Sequence, residues 1–280
     1  MKINEQYQHL NLLEDITCQF LDRDGNISQE TKPVLVEHLM DVYVNDRLTM
    51  KLVCIPQYLA ELVLGRLFTE GMISCAEDVE QIYICEFGKR ARVLLSKNFT
   101  PKTSASRNSD NSQQEDYVAP TPTCCTGNRI LTDYFTTEKP LSPVTPIAWK
   151  ARWVFDLADR FASGTPLHSQ TWATHSCFLA SEGNLLFQCE DIGRHNALDK
   201  AIGYALRHDI DLKKCIVYSS GRIPTDMAAK AIRAGIPVLA SKASPSAEAI
   251  AMAKEYQLTL ICGARRDCMK LFAGNAPESI

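Results

Sequence analysis

Between Cys215 and Cys262 the chain alternates short apolar runs with helical ones, and that alternation restricts the possible folds more than any other feature. The pattern predicts strands over Cys215–Ser219, Pro237–Ala240 and Leu258–Cys262, with helices over Pro224–Ala234 and Pro245–Tyr256 between them. Strands joined through a helix by short links pair in parallel with right-handed crossovers, so the fold class is α/β. Ligands of such open sheets sit beyond the carboxyl ends of the strands. Those ends read Ser219-Ser220-Gly221-Arg222, Ser241-Lys242-Ala243-Ser244 and Gly263-Ala264-Arg265-Arg266-Asp267, all but the last residue small, hydroxylated or cationic. Pro224 and Pro245 are expected in the first turns of the following helices, which would aim exposed N–H groups at the same place. Such residues also serve as plain caps and solvated loop ends; the convergence of three loops favours an anionic ligand, with Ser220, Arg222 and Lys242 as candidates.

Upstream, the periodicity predicts a helix over Ala151–Phe161, a hairpin of Trp172–Ala180 and Leu185–Cys189 turning at Glu182-Gly183-Asn184, and a helix over His195–Arg207. The string Glu190–Lys200 (Glu-Asp-Ile-Gly-Arg-His-Asn-Ala-Leu-Asp-Lys) occupies the strand-to-helix turn, where Gly193 permits an unusual backbone angle and Asp191 can cap. Arg194 and His195 are candidates for binding an anion or positioning a sulfur group, the alternative being a packed or solvated role. Asp199 and Lys200 read as capping and i,i+4 support. His175 reads as a core histidine, and His168 carries no signal.

The first third predicts an α+β lobe: strands over Pro33–Glu37, Asp41–Arg47 and Lys51–Ile55 with Asn45-Asp46 as turn material, a helix over Gln57–Thr69, and a hairpin of Val79–Glu86 and Arg90–Ser96. Residues 98–123 are rich in Ser, Asn, Gln, Thr and Pro and too poor in large apolar side chains to offset the entropy of ordering them. The expected organisation is therefore an N-terminal lobe over residues 12–97, a flexible loop over 98–145 and a C-terminal α/β domain over 146–280.

Cys124 and Cys125 stand side by side at the downstream edge of that polar tract. A cysteine acting as a small hydrophobe belongs in a buried element, so a pair on a loop argues for thiol chemistry offered to another molecule. Most of the eleven cysteines fall in apolar strands and their number is odd, which fits free thiols in a reducing compartment. The formal charge of −3 gives no general attraction to nucleic acid or membrane, Met1–Asn11 lacks a basic-then-apolar leader, and the expectation is a cytoplasmic protein. No Cys-x-x-Cys, zinc-deaminase signature, dinucleotide glycine motif, Walker sequence or Gly-x-Ser-x-Gly elbow is present. Adjacent residues of an extended segment point to opposite sides, so Cys124 and Cys125 make a poor chelate, and no zinc is expected.

Taken together, Leu64–Ile73 (Leu-Gly-Arg-Leu-Phe-Thr-Glu-Gly-Met-Ile), Thr174-His175, Glu190–Lys200, Ser219–Arg222 and Leu258–Ile261 with the basic segment after it are similar to the formate dehydrogenase accessory sulfurtransferase family (FdhD/NarQ). The resemblance spans about residues 30 to 272 in order. It implies a sulfurtransferase that carries persulfide sulfur from a cysteine desulfurase to the molybdenum cofactor in its bis-molybdopterin guanine dinucleotide form, bound as substrate, for formate dehydrogenase apo-enzyme. It implies a C-terminal mixed sheet with flanking helices, similar to the cytidine-deaminase fold without its zinc. It also assigns cofactor contact to Gly263, Ala264, Arg265, Arg266, Asp267 and Cys268. The family's sulfur-carrying loop reads Cys-x-x-Cys-Gly where this chain has Cys124-Cys125-Thr-Gly127, so either cysteine can be the carrier. A non-catalytic chaperone binding the same guanine nucleotide cofactor is the alternative, and a homodimer is a further expectation.

Overall fold

A computed structural model describes residues 1–7, 10–96, 120–121 and 141–279; Cys124 and Cys125 lie outside them. The N-terminal lobe is built on strands β1 (Lys2–Glu5), β4 (His38–Val44), β5 (Arg47–Cys54), β6 (Val79–Ile84), β7 (Arg90–Leu95) and β8 (Pro120–Thr121), in the order β1-β6-β7-β4-β5-β8. Asn45 and Asp46 form the predicted turn, both with positive φ (45° and 64°), the conformation a two-residue hairpin needs and these side chains tolerate. Helix α1 (Leu59–Thr69) buries Leu59, Leu62, Val63 and Leu67 against this sheet. The lobe begins earlier than expected, because β1 pairs in parallel with β6; Lys-Ile-Asn-Glu is too short and polar to announce itself. A separate hairpin of β2 (Leu13–Leu21) and β3 (Ile27–Leu35) was foreseen only at its last residues, and β2 is exposed along nearly all its length.

The C-terminal sheet comprises β9 (His175–Ser181), β10 (Asn184–Asp191), β11 (Cys215–Ser219), β12 (Val238–Ser241), β13 (Thr259–Cys262) and β14 (Lys270–Ala273), in the order β10-β9-β11-β12-β13-β14. The three central strands are parallel, as the alternation requires, while β9 and β14 run antiparallel to their neighbours. The result is mixed α/β. Side-chain alternation splits the strands between two cores. Phe178, Ile216, Tyr218, Val238 and Ile261 meet helix α2 (Ala151–Ala162), whereas Leu179, Val217, Leu239 and Leu260 meet helices α4 (Arg194–Arg207), α5 (Thr225–Arg233) and α6 (Ala247–Glu255). A one-turn helix α3 (His168–Thr171) precedes β9, so that strand starts at His175 rather than at Trp172. Leu141 and Val144 are buried in the second of these cores and Val144 N donates to Tyr256 O at 2.9 Å, so the packed domain begins before residue 145.

The two lobes meet where α1 crosses α4. Gly65 and Gly203 face the partner helix's backbone, and a Cβ at either would overlap the carbonyl of Asp199 or Glu61, so the close crossing depends on both glycines. Around this crossing Asp191, Asp199 and Lys200 of the Glu190–Lys200 string are sealed. Asp199 takes Arg66 Nε at 2.9 Å, Lys230 Nζ at 2.7 Å and Thr69 Oγ1 at 2.8 Å. Asp191 takes Lys200 Nζ at 2.6 Å, Ile55 N at 3.2 Å and Asn196 Nδ2 at 2.9 Å. Asp199 and Lys200 are therefore not capping and surface support. They are fully buried, and each is joined to groups from the other lobe.

Candidate functional site: the carboxyl edge of the C-terminal sheet

Because β9 runs antiparallel to β11, its first residue lies at the carboxyl end of the parallel strands, and His175 joins Ser219, Ser220, Ser241 and the segment after Cys262 along one edge. Helices α4, α5 and α6 all start there. Pro224 is the N-cap of α5 and Pro245 precedes the N-cap Ser246 of α6, so neither proline lies within a first turn. The loops also bind one another: Ile223 N donates to Ser244 O, Ser246 N to Ile223 O, Lys242 N to Ser219 O and Gly263 N to Ala243 O. These four N–H groups are thus spent on loop-to-loop bonds.

Ser220 Oγ accepts from Ser176 N at 2.9 Å and stands 3.3 Å from His175 Nδ1. Its own hydrogen can then serve Nδ1, which leaves the imidazole proton on Nε2. Burial, and then the positive charges of Arg194, His168, His195 and Arg222, hold His175 below the usual histidine pKa. Arg194 passes so close to Gly221 that a Cβ there would fall 2.8 Å from Arg194 Cβ and Cδ, and its buried Nε has no hydrogen-bond partner among the described residues. Arg222 and Lys242 are exposed, and Lys242 Nζ sits 4.8 Å above the Phe161 ring.

The segment after β13 is buried at Ala264 and exposed at the next four residues. Ala264 is buried and its carbonyl accepts from Tyr218 OH at 2.9 Å; Arg265 N donates to Cys268 O at 2.8 Å, closing a turn that exposes Arg265, Arg266, Asp267 and Cys268. Gly263 supplies the positive φ, 61°, that starts the turn. Arg266 is 3.6 Å from Asp159.

His195 differs from the other candidates. It is buried, with Nε2 2.6 Å from Asp226 Oδ2, and it joins the start of α4 to the start of α5 behind the edge. Burial raises the Asp226 carboxyl, but the His195 bond and charge outweigh it and hold the acid below its ordinary range. Glu190 is also structural, accepting from Thr165 Oγ1, Thr174 Oγ1, Leu167 N and His168 N, and so fixing α3 against the edge. The residue that sequence reasoning misplaced is His175. An antiparallel hairpin before the first parallel strand brings its start to the carboxyl edge, and that was the available signal.

The thiols of the core are suppressed. Burial pushes Cys54, Cys177 and Cys189 far up, Cys215 to about 11 and Cys262 to about 12, so none supplies thiolate at neutral pH. Among the described residues no group of three or more His, Cys, Asp or Glu could hold a metal ion, and no helix is long and apolar enough to cross a membrane.

Fold and edge define a class: two-lobed α/β proteins with a row of cations and hydroxyls at the carboxyl ends of parallel strands. Residues 35–279 match the model of the FdhD/NarQ family, and the chain belongs to that family. It is 29% identical to the sulfur carrier protein FdhD of Listeria monocytogenes serotype 4b over 89% of this chain and 93% of that one. To the sulfur carrier protein FdhD of Streptomyces coelicolor it is 30% identical over 90% and 91%. A crystal structure of a putative formate dehydrogenase accessory protein from Desulfotalea psychrophila superposes with a TM-score of 0.75 at 27% identity, covering 96% of this chain and 99% of that one.

Proposed function

We propose that this chain is a cytoplasmic sulfur carrier serving formate dehydrogenase, with Cys124 or Cys125 holding the sulfur and the cationic edge binding the acceptor. The thiolate of Cys124 or Cys125 attacks the outer sulfur of a cysteine desulfurase persulfide, forming a new S–S bond as the persulfide's own S–S bond breaks and releasing the desulfurase thiolate. The acceptor in this reading is bis-molybdopterin guanine dinucleotide, whose pyrophosphates call for charge-assisted donors. The observation that carries the reading is the gathering of Arg194, Arg222, Lys242, Arg265 and His175 on one sheet edge, where no carboxylate of the described residues lies within salt-bridge distance of the four Arg and Lys side chains. The suppressed core thiols support it by leaving nucleophilic sulfur to cysteines outside the core. A homodimer belongs to the same proposal, and Ile16, Phe20, Leu21 and Ile27, exposed on the β2–β3 hairpin, are the surface such a pairing would use.

The adjacent spacing of Cys124 and Cys125 favours a second reading, a chaperone that binds the cofactor without passing sulfur. Complementation separates the two. In cells lacking the native protein, a variant with both cysteines changed to Ala should be made in normal amount yet fail to restore formate dehydrogenase activity; full restoration would leave the chaperone.

A further inference from the structure

Trp172 stands out among the exposed side chains. It is 81% exposed and has a left-handed backbone (φ 56°, ψ 14°), a conformation that a bulky residue adopts only when its surroundings impose it. Those surroundings are rigid. Trp172 N donates to His168 O at 2.9 Å, and Glu190 holds the preceding turn through Leu167 N and His168 N. His168 Nδ1 contacts Thr174 O at 2.9 Å, and its ring lies 5.5 Å from the indole. The structure thus holds the largest of side chains in solvent on a firm base, three residues before His175. Three extended residues reach at most about 10 Å, a span that a nucleoside diphosphate can bridge from base to phosphate.

We propose that Trp172 is the base platform of this edge: its indole stacks on the planar purine ring of a nucleotide whose phosphates are held by Arg194, Arg222 and His175 Nε2–H. An aromatic face accepts any flat ring, so the indole contributes affinity, while the cations define the charged end of the ligand. The inference rests on the anion-binding reading of the edge given above and adds to it the residue that makes the ligand a nucleotide rather than a bare anion.

GDP and pyrophosphate are the probes, titrated calorimetrically into the full chain, its W172G and W172F variants, and a variant with Arg194 and Arg222 both changed to Ala. Glycine takes the left-handed conformation without cost, so W172G should fold at least as well as the parent, and a melting curve checks this. GDP should bind W172G roughly 5- to 140-fold more weakly, the range for loss of one stacked base. W172F should recover most of that loss, and pyrophosphate should bind the parent and W172G alike. GDP should also quench the fluorescence of the parent more than that of W172G, since Trp149 is buried and bonded to Asn275 O and Trp153 packs against Gly183 in the β9–β10 turn at the opposite end of the sheet. Equal GDP affinity in the parent and W172G, with both probes lost from the double arginine variant, overturns the platform and leaves the anion edge standing. Pyrophosphate weakened as much as GDP in W172G would mean that Trp172 acts through the shape of the anion site and not by stacking, which also overturns the platform. GDP binding that survives in the double arginine variant removes the edge reading and the platform together.

Discussion

The charges between the lobes and the charges at the carboxyl edge come partly from one string, Glu190–Lys200, yet they live under opposite conditions. At the α1–α4 crossing, Arg66, Asp191, Asp199, Lys200 and Lys230 are all buried, and each carboxylate is matched by a cation and by neutral donors. A buried charge is tolerated only when its partners are complete. At the edge, Arg194, Arg222, Lys242 and Arg265 have no such carboxylate match among the described residues; Arg222, Lys242 and Arg265 are exposed, so water meets the cost, while Arg194 is half-buried. The difference teaches which part of the string is scaffold: its acids and Lys200 are bonded into the interior, and Arg194, half-buried against Gly221, has no carboxylate partner among the described residues.

The comparison predicts its largest effect at Asp199. Changing Asp199 to Ala strands the buried Lys230 without a counter-charge and leaves Arg66 only its ion pair with Glu70, and should cost about 3–5 kcal/mol in urea unfolding. A loss below about 1 kcal/mol would mean that the crossing is not closed as described. Arg222→Ala should do the reverse. Its stability change should stay within about ±0.5 kcal/mol, while pyrophosphate binding weakens by about 1.5–3 kcal/mol if the guanidinium makes a charge-assisted bond. A variant that unfolds more easily without losing affinity would erase the contrast between the regions.

The smallest effect is a pH dependence set by His175. Its folded pKa lies below the ordinary value of about 6.5, so on acidification the unfolded chain takes up the proton first. The contribution to stability is present above about pH 6.5 and is lost as the pH falls through that value toward the folded pKa. A bound anion acts oppositely, favouring imidazolium. Pyrophosphate should therefore bind more tightly as the pH falls below about 6.5, with proton uptake visible by calorimetry in buffers of different ionisation heat. His175→Gln should remove that proton uptake.

Much of this molecule was legible because periodicity reports burial. The α/β core, the Asn45-Asp46 turn and the edge at Ser219–Arg222 follow from local pattern. What escaped depends on contacts distant in sequence. Asp199 and Lys200 look like surface charges on any helix, and only the arrival of Arg66, Thr69, Ile55 and Lys230 makes them interior. His175 changed meaning through the antiparallel placement of β9, and Trp172, expected to begin a strand, instead ends a helical turn in a left-handed conformation. The prolines were placed one or two residues too deep in their helices because the loops zip together before the first turns begin.

The proposed function puts the sulfur on Cys124 or Cys125 and not on the core thiols, and peptide-mapped mass spectrometry after incubation with a cysteine desulfurase and cysteine tests this most directly. One added sulfur, about 32 Da, should appear on the peptide carrying Cys124 and Cys125, while peptides carrying Cys215 or Cys262 remain unmodified. Sulfur on Cys215 or Cys262, or none on any cysteine, would contradict the account.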